Sequence, residues 1–378
     1  MKIGIITTFR QANFGSVLQA FSLQFVLEKM GYDVELIDYK YPNGYHYQNG
    51  YPKKSFWITG KYKLRLFLGR IGLKAKNKML LMNDFISQNT ICTKTYNSKI
   101  QLQSNPPIFD VYISGSDQIW NPNTMFGDMS YFLDFAPKNA RKIAYSSSFS
   151  CDTIPQKYQQ RYKYFLQQYK SIFVREENGR RIAKVLTGRT DIEVVLDPTL
   201  LLNSNEWSKY AEKSSLSDIP QNYILFYMLA YTYNPQNKMT EILSEFQNQY
   251  KLPILSLSEK PIGFHGEFIQ IEKEHTIGIY EFLDLFCNAT IVVTSSFHGT
   301  AFALNFGKPL LALIDGEKKS DDRISTIMEK MGVNKQLIDT NTIIDDKINP
   351  FYDIEREQNM LERERNRCLS LLKESIEL

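Results

Sequence analysis

Among the 378 residues, a few side chains have the types and neighbours that group-transfer chemistry needs. His298 lies in the run Ser295, Ser296, Phe297, His298, Gly299, Thr300, just after the β-branched residues 291–294. An imidazole titrates near neutral pH, so at a strand end it can serve as acid or base, although a lone histidine is more often a core or surface residue. Asp117 stands in GSDQIWNP, directly after the apolar run 109–114. A carboxylate there can orient or deprotonate a hydroxyl, or cap a helix. Arg175 follows the apolar triplet 172–174 and precedes Glu176. Its planar guanidinium suits a carboxylate or phosphate, with pairing to Glu176 or another nearby carboxylate as the plainer alternative. Arg323, after Asp321 and Asp322, is open to the same two readings.

Such residues need elements to hold them. Residues 291–294, a short helix closed by Gly307, and 309–314 read as one βαβ unit, with His298 in its first turn. In open α/β sheets ligands sit beyond the carboxyl ends of the strands, where the N–H groups of a helix N-terminus attract anions. The chain opens in the same grammar: a strand at 2–8, the loop FRQANFGS, a helix at 16–30 closed by Gly31, and a strand at 32–39. Asn13, Gly15 and Ser16 fall at the carboxyl edge of the first strand, placed either to bind a sugar or phosphate or to cap the helix. The loop has one glycine where dinucleotide binders carry G-x-G-x-x-G, so no dinucleotide is expected.

Further strands are expected at 109–114, 142–147 and 172–174, with a last one near 193–196, and helices near 76–88 and at 155–169. The polar stretch 203–222 reads as a linker. A second α/β pattern then runs through a strand at 224–228, a helix at 235–250, a strand at 253–257, an irregular segment flanked by His265 and His275, and a helix at 279–287. The expected fold is α/β, with two Rossmann-like domains facing a cleft: residues 1–205, carrying an insertion at about 40–83, and residues 206–349. Residues 350–378 form a charged helix without a core of its own, expected to pack back across the domains.

Composition agrees with an ordered globular protein: 43% hydrophobic and 13% aromatic residues are enough for two cores. Cys92, Cys151, Cys287 and Cys368 are far apart and match no CxxC spacing, which points to a reducing compartment and no structural metal. The N-terminal run is too short for a signal peptide and no stretch is long enough to span a bilayer, so a cytoplasmic protein is expected. Net charge is only +4, yet no acidic residue occurs between Asp38 and Asp84, while ten lysines and arginines do. With aromatic and aliphatic residues interleaved, 53–78 is either a solvated insertion or a peripheral contact with an anionic membrane face. Nothing else in the chain repeats that pattern, so no nucleic acid is expected.

NFGSVLQA, GSDQIWNP, YSSSFS, VREE, DPTLLL, SSFHGTAFAL and DDRIS occur in an order that resembles the polysaccharide pyruvyl transferase family over residues 1 to about 335. The resemblance implies a GT-B-like fold with the active site in the cleft. It also implies phosphoenolpyruvate as co-substrate, no cofactor, and a sugar hydroxyl pair that becomes a pyruvate ketal. The acceptor it implies is a sugar or an undecaprenyl-diphosphate-linked oligosaccharide of surface or capsular polysaccharide synthesis. Carried onto this chain, His298 is the acid, and Asp117 orients or deprotonates the acceptor. Arg175, Ser295, Ser296, Phe297, Gly299, Thr300 and Arg323 bind the donor, and Asn13, Gly15, Ser16, Ser116, Gln118 and Trp120 the acceptor. The chain departs from the pattern at Ser296, where many members carry arginine, and at Phe297, which replaces a leucine; Arg323 or the turn's N–H groups are the substitutes at hand. The alternatives are a nucleotide-sugar glycosyltransferase, disfavoured because no Asp or Glu lies in the turn beside His298, and a non-catalytic glycan-binding relative.

Overall fold

A computed structural model describes residues 1–40, 78–125, 127–229, 233–316, 322–345 and 348–377. The basic stretch 53–78, and with it the membrane-contact reading, lies outside the described residues except for Lys78, whose Nζ stands 3.9 Å from the Phe14 ring centroid. The chain divides into two compact units, Met1–Leu201 with the residues from Asn366 onward, and Leu202–Arg365.

The first unit holds a six-stranded sheet of β1 (Lys2–Ile6), β2 (Asp33–Leu36), β3 (Val111–Ser114), β4 (Arg141–Ser147), β5 (Ser171–Val174) and β6 (Ile192–Val194), in the order β2-β1-β3-β4-β5-β6. Every pairing is parallel. The strands are buried along nearly their whole length, as expected when helices cover both faces of a parallel sheet. The helices include α1 (Phe14–Lys29), α2 (Lys78–Asn89), α3 (Gln156–Leu166) and α4 (Glu177–Thr187). The chain passes from β1 to β2 on one side and then crosses back past β1 to β3 on the other, so the strand order reverses between β1 and β3. A reversal of this kind is where open α/β sheets form the crevice that takes a ligand, at the carboxyl ends of the strands.

The second unit repeats the scheme with β7 (Ile224–Tyr227), β8 (Ile254–Ser256), β9 (Phe268–Gln270), β10 (Ile291–Thr294), β11 (Leu310–Ile314) and β12 (Leu337–Asp339), ordered β12-β11-β10-β7-β8-β9 and again all parallel. Here the order reverses between β7 and β10. The helices are α5 (Ser204–Ala211), α6 (Gln236–Tyr250), α7 (Ile279–Asn288), α8 (Phe297–Asn305) and α9 (Arg323–Lys330). The protein is thus α/β with two Rossmann-like units, as its sequence led one to expect.

Two expectations need correction. The supposed linker 203–222 begins with α5, fixed by a capping box between Asn203 and Glu206, and its Trp207 is fully buried against Phe302 of α8 at 5.4 Å between ring centroids. Polar composition concealed one apolar stripe. The segment between His265 and His275 is not irregular throughout, since β9 lies within it. The C-terminal helix α10 (Ile354–Glu377) is divided between the units: Gln358 donates to Leu304 O in the second, and Arg367 to Val194 O in the first.

Candidate functional site

In the first unit the crevice residues converge on one ion network. α1 starts where Asn13 caps it, its side chain accepting from Ser16 N at 3.2 Å. Beyond β3, Gly115 lets the turn pass close to β1: a Cβ there would lie 3.1 Å from Thr7 Cβ. Asp117 then takes a left-handed backbone (φ 74°), tolerable for aspartate but strained, as functional turns often are. Its Oδ2 accepts from Ser16 Oγ at 2.7 Å and from Thr8 Oγ1 at 3.3 Å, and its Oδ1 from Gln118 N at 2.9 Å. Arg175, immediately after β5, places Nη2 3.5 Å from Asp117 Oδ1 and donates from Nη1 to Asp197 Oδ2 at 3.0 Å. Asp197 follows β6 and also accepts from Ser116 Oγ at 2.6 Å.

This geometry revises several sequence assignments. Arg175 is 3% exposed and lies between two carboxylates, so with both ionised the trio carries one negative charge. Such a group repels a donor dianion and suits a hydroxyl-rich ligand. Arg175 is therefore better described as organising Asp117 than as holding phosphate. Trp120 is not on the rim; it is fully buried, stacked on Phe132 at 5.0 Å, with Nε1 donating to Tyr131 O. An indole needs both apolar contact and one acceptor, and the core supplies both. Gly15 and Ser116 are buried as well, whereas Asn13, Asp117 and Gln118 retain partial exposure. Glu176 Oε1 accepts from Phe149 N at 2.8 Å and Ser150 N at 3.2 Å, anchoring the serine-rich loop after β4.

Sequence reasoning missed Asp197, Thr8 and Arg10. Asp197 offered the same signal as Asp117, an aspartate just past a strand, but its partner lay on another strand. Arg10 grips Asp38 through Nε (2.9 Å) and Nη2 (2.8 Å), and Thr95 Oγ1 donates to the same carboxylate at 2.7 Å. Asp38 lies just beyond β2, the place from which dinucleotide folds reach a ribose; here it is committed within the protein.

In the second unit the crevice between β7 and β10 carries the histidine. Ser296 caps α8, its hydroxyl accepting from Gly299 N at 3.2 Å, while Thr300 Oγ1 donates to Ser296 O at 3.0 Å. Ser295 Oγ exchanges hydrogen bonds with Leu229 N and O, both at 2.9 Å, joining the two strand ends. Gly299 is required by packing, because a Cβ would come within 2.4 Å of Thr294 Oγ1. Ser295, Ser296, Gly299 and Thr300 thus build the turn. Phe297, 6% exposed, stands edge-on to His298 at 5.2 Å between centroids, and the Arg323 guanidinium lies 5.9 Å over the same phenyl ring. His298 is 8% exposed. Phe297 thereby gathers one imidazole and one guanidinium at the N-terminus of α8, a place suited to an anion.

Among the described residues no group of three or more histidine, cysteine, aspartate or glutamate side chains is placed to hold a metal, and no helix is long and apolar enough to cross a membrane. In trace, the chain is similar to UDP-GlcNAc 2-epimerase from Methanocaldococcus jannaschii, at 14% identity over 96% of this chain and 92% of that one, with a TM-score of 0.48. It is likewise similar to UDP-GlcNAc 2-epimerase from Neisseria meningitidis bound to UDP-GlcNAc, at 11% identity over 99% of each chain, with a TM-score of 0.47. No curated protein matches the chain in sequence. The family model for polysaccharide pyruvyl transferase matches residues 13–315, which takes in every strand from β2 to β11 and both crevice turns. This chain belongs to the polysaccharide pyruvyl transferase family.

Proposed function

We propose that the protein transfers the pyruvyl group of phosphoenolpyruvate to two hydroxyls of a sugar, forming a pyruvate ketal and releasing phosphate. The observation that carries this proposal is that His298 and Arg323 each lie beside the Phe297 ring at a helix N-terminus, in a chain of this family. A proton adds to the methylene carbon of the enol phosphate, and a sugar oxygen bonds to the adjacent cationic carbon, losing its own proton. The carbon–oxygen bond to phosphate then breaks, and the second sugar oxygen takes its place. One hydroxyl proton replaces the proton delivered to the methyl group and the other leaves on phosphate, so the sum is balanced. No cofactor enters.

His298 is proposed as the proton donor to carbon, and Arg323 with the turn before α8 as the anion-binding group that replaces the arginine absent at position 296. Asp117, with Asn13, Ser16 and Gln118 around it, is proposed to orient the acceptor hydroxyls. Its negative surroundings favour a neutral sugar over the donor. The acceptor proposed is a lipid-linked oligosaccharide, approached at a membrane face through the basic stretch 53–78.

The test is to incubate purified protein with phosphoenolpyruvate and a galactose-containing lipid-linked glycan, following phosphate release and the product's mass spectrum. Release coupled to a pyruvate ketal supports the proposal. Turnover with UDP-sugars alone points to a glycosyltransferase, and glycan binding without turnover to a non-catalytic relative.

A further inference from the structure

We propose that Asp197 is a positioning residue that sets the Asp117 carboxylate through Arg175 and Ser116. In the first sheet β3 and β6 are three strands apart, so with a strand spacing of about 4.8 Å their ends are separated by roughly 14 Å. Asp117 and Asp197 nonetheless meet one guanidinium, because Arg175 rises from β5 between them. The register of β4 against β5 shifts between Ala144 and Ser147, and Ser146 takes a left-handed backbone (φ 55°). This curls the end of β4 so that Ser147 pairs with Asp117.

The two carboxylates are not equivalent. The Asp197 side chain is 0% exposed and that of Asp117 14%. Asp197 Oδ1 is fixed by Thr199 N at 3.0 Å and Thr199 Oγ1 at 2.8 Å, which leaves Oδ2 to receive Arg175 Nη1 at 3.0 Å and Ser116 Oγ at 2.6 Å. Arg175 Nη2 then lies 3.5 Å from Asp117 Oδ1. Asp197 is the seat of the guanidinium and Asp117 the side open to a ligand. Ser116, directly before Asp117 in the chain, gives Asp197 a second hold, on the strained backbone itself. The catalytic meaning of this arrangement rests on the proposed role of Asp117 at the acceptor; the positioning itself does not.

The experiment compares wild type, Asp197→Asn, Arg175→Lys and the double variant by phosphate release from phosphoenolpyruvate with the glycan acceptor, alongside crystal structures of each. Asp197→Asn is expected to lower kcat about 10- to 100-fold with both KM values within about threefold. The acid limb of its kcat profile should move to lower pH, because Asp117 loses a neighbouring negative charge. If Asp197 acts through Arg175, the double variant is no slower than Arg175→Lys alone. Wild-type kcat with an unmoved acid limb, or fully additive losses, would overturn the proposal. The structures decide independently of turnover: an Asp117–Arg175 separation well beyond 3.5 Å in Asp197→Asn supports it, and unchanged geometry overturns it. A wild type inert toward phosphoenolpyruvate, with Asp117 displaced in the variant, would condemn the pyruvyl transfer and leave the positioning standing. Should Asp197→Asn not fold, Ser116→Ala removes one of the two holds; displacement of Asp117 in its structure is the result expected, and unchanged geometry overturns the proposal.

Discussion

Ser16, in the first turn of α1, and Asp117, in the turn beyond β3, are joined by a hydrogen bond of 2.7 Å. One residue follows β1 and the other β3, the two strands between which the sheet reverses, so this hydroxyl, with that of Thr8, ties the two strand ends together. Ser16→Ala removes a hydrogen bond to a charged group, worth about 1.5–3 kcal/mol. The expected result is a loss of that order in denaturant unfolding, together with weaker acceptor binding. An unchanged acceptor KM would detach Asp117 from the acceptor.

His298→Gln should abolish turnover, or reduce it by about 10²- to 10⁴-fold, while circular dichroism and the unfolding midpoint stay near wild type. The ring already lies in the turn, and glutamine keeps its polarity and much of its volume. Near-normal rates would remove the imidazole from the chemistry.

Arg323→Ala should act on the donor. With the guanidinium 5.9 Å over Phe297, its loss is expected to raise the phosphoenolpyruvate KM by about tenfold or more and leave the acceptor KM alone. A change confined to the acceptor would contradict the assignment. Neutralising Lys61, Lys63 and Arg65 should in turn weaken co-sedimentation with anionic vesicles, and unchanged binding would favour a solvated insertion.

Gly299→Ala forces a methyl group to within 2.4 Å of Thr294 Oγ1, in a turn with little room to move. Destabilisation of about 1–3 kcal/mol is expected, partly recovered by the additional change Thr294→Ala. A neutral effect in thermal unfolding would show that the turn can give way.

Glu357, 1% exposed in α10, carries a carboxyl pushed by burial from its ordinary 4.5 up to about 7, with the Gln358 amide and the Arg365 charge opposing the rise. The folded state holds this proton more tightly than the unfolded chain, so the stabilisation is complete below about pH 4.5 and is lost as pH rises through about 7. Its size is on the order of 3 kcal/mol. Glu357→Gln should therefore be the more stable protein at pH 8, with the difference shrinking toward pH 5. Parallel unfolding curves for the two proteins across that range would refute the assignment.

The crevices were legible in the sequence because strand ends are local features. A glycine turn after an apolar run placed Asp117, and the serine pair after residues 291–294 placed His298. What sheet order alone determines was not legible: Arg175 finds Asp197 because β5 and β6 are neighbours, and nothing in VREE or DPTLLL says so. Trp120 misled for a related reason. Its polar neighbours read as a rim, whereas the chain turns the indole inward to Tyr131 O. The three-residue strands β9 and β12 are too short for any periodicity to register. Helix α5 left one local signal, the Asn203 to Glu206 spacing of a capping box, inside a stretch whose polar composition reads as linker.

The clasp between Arg10 and Asp38 sets a limit on what could be engineered into this scaffold. Asn83, Thr93 and Thr95 complete the clasp, and the guanidinium also rests on the Phe9 ring at 5.0 Å. Converting the first crevice into a nucleotide receptor would mean freeing the one acid suited to a ribose, and freeing it would unpin the loop that leads into α1. The bonds that occupy Asp38 are the same ones that give this loop its shape.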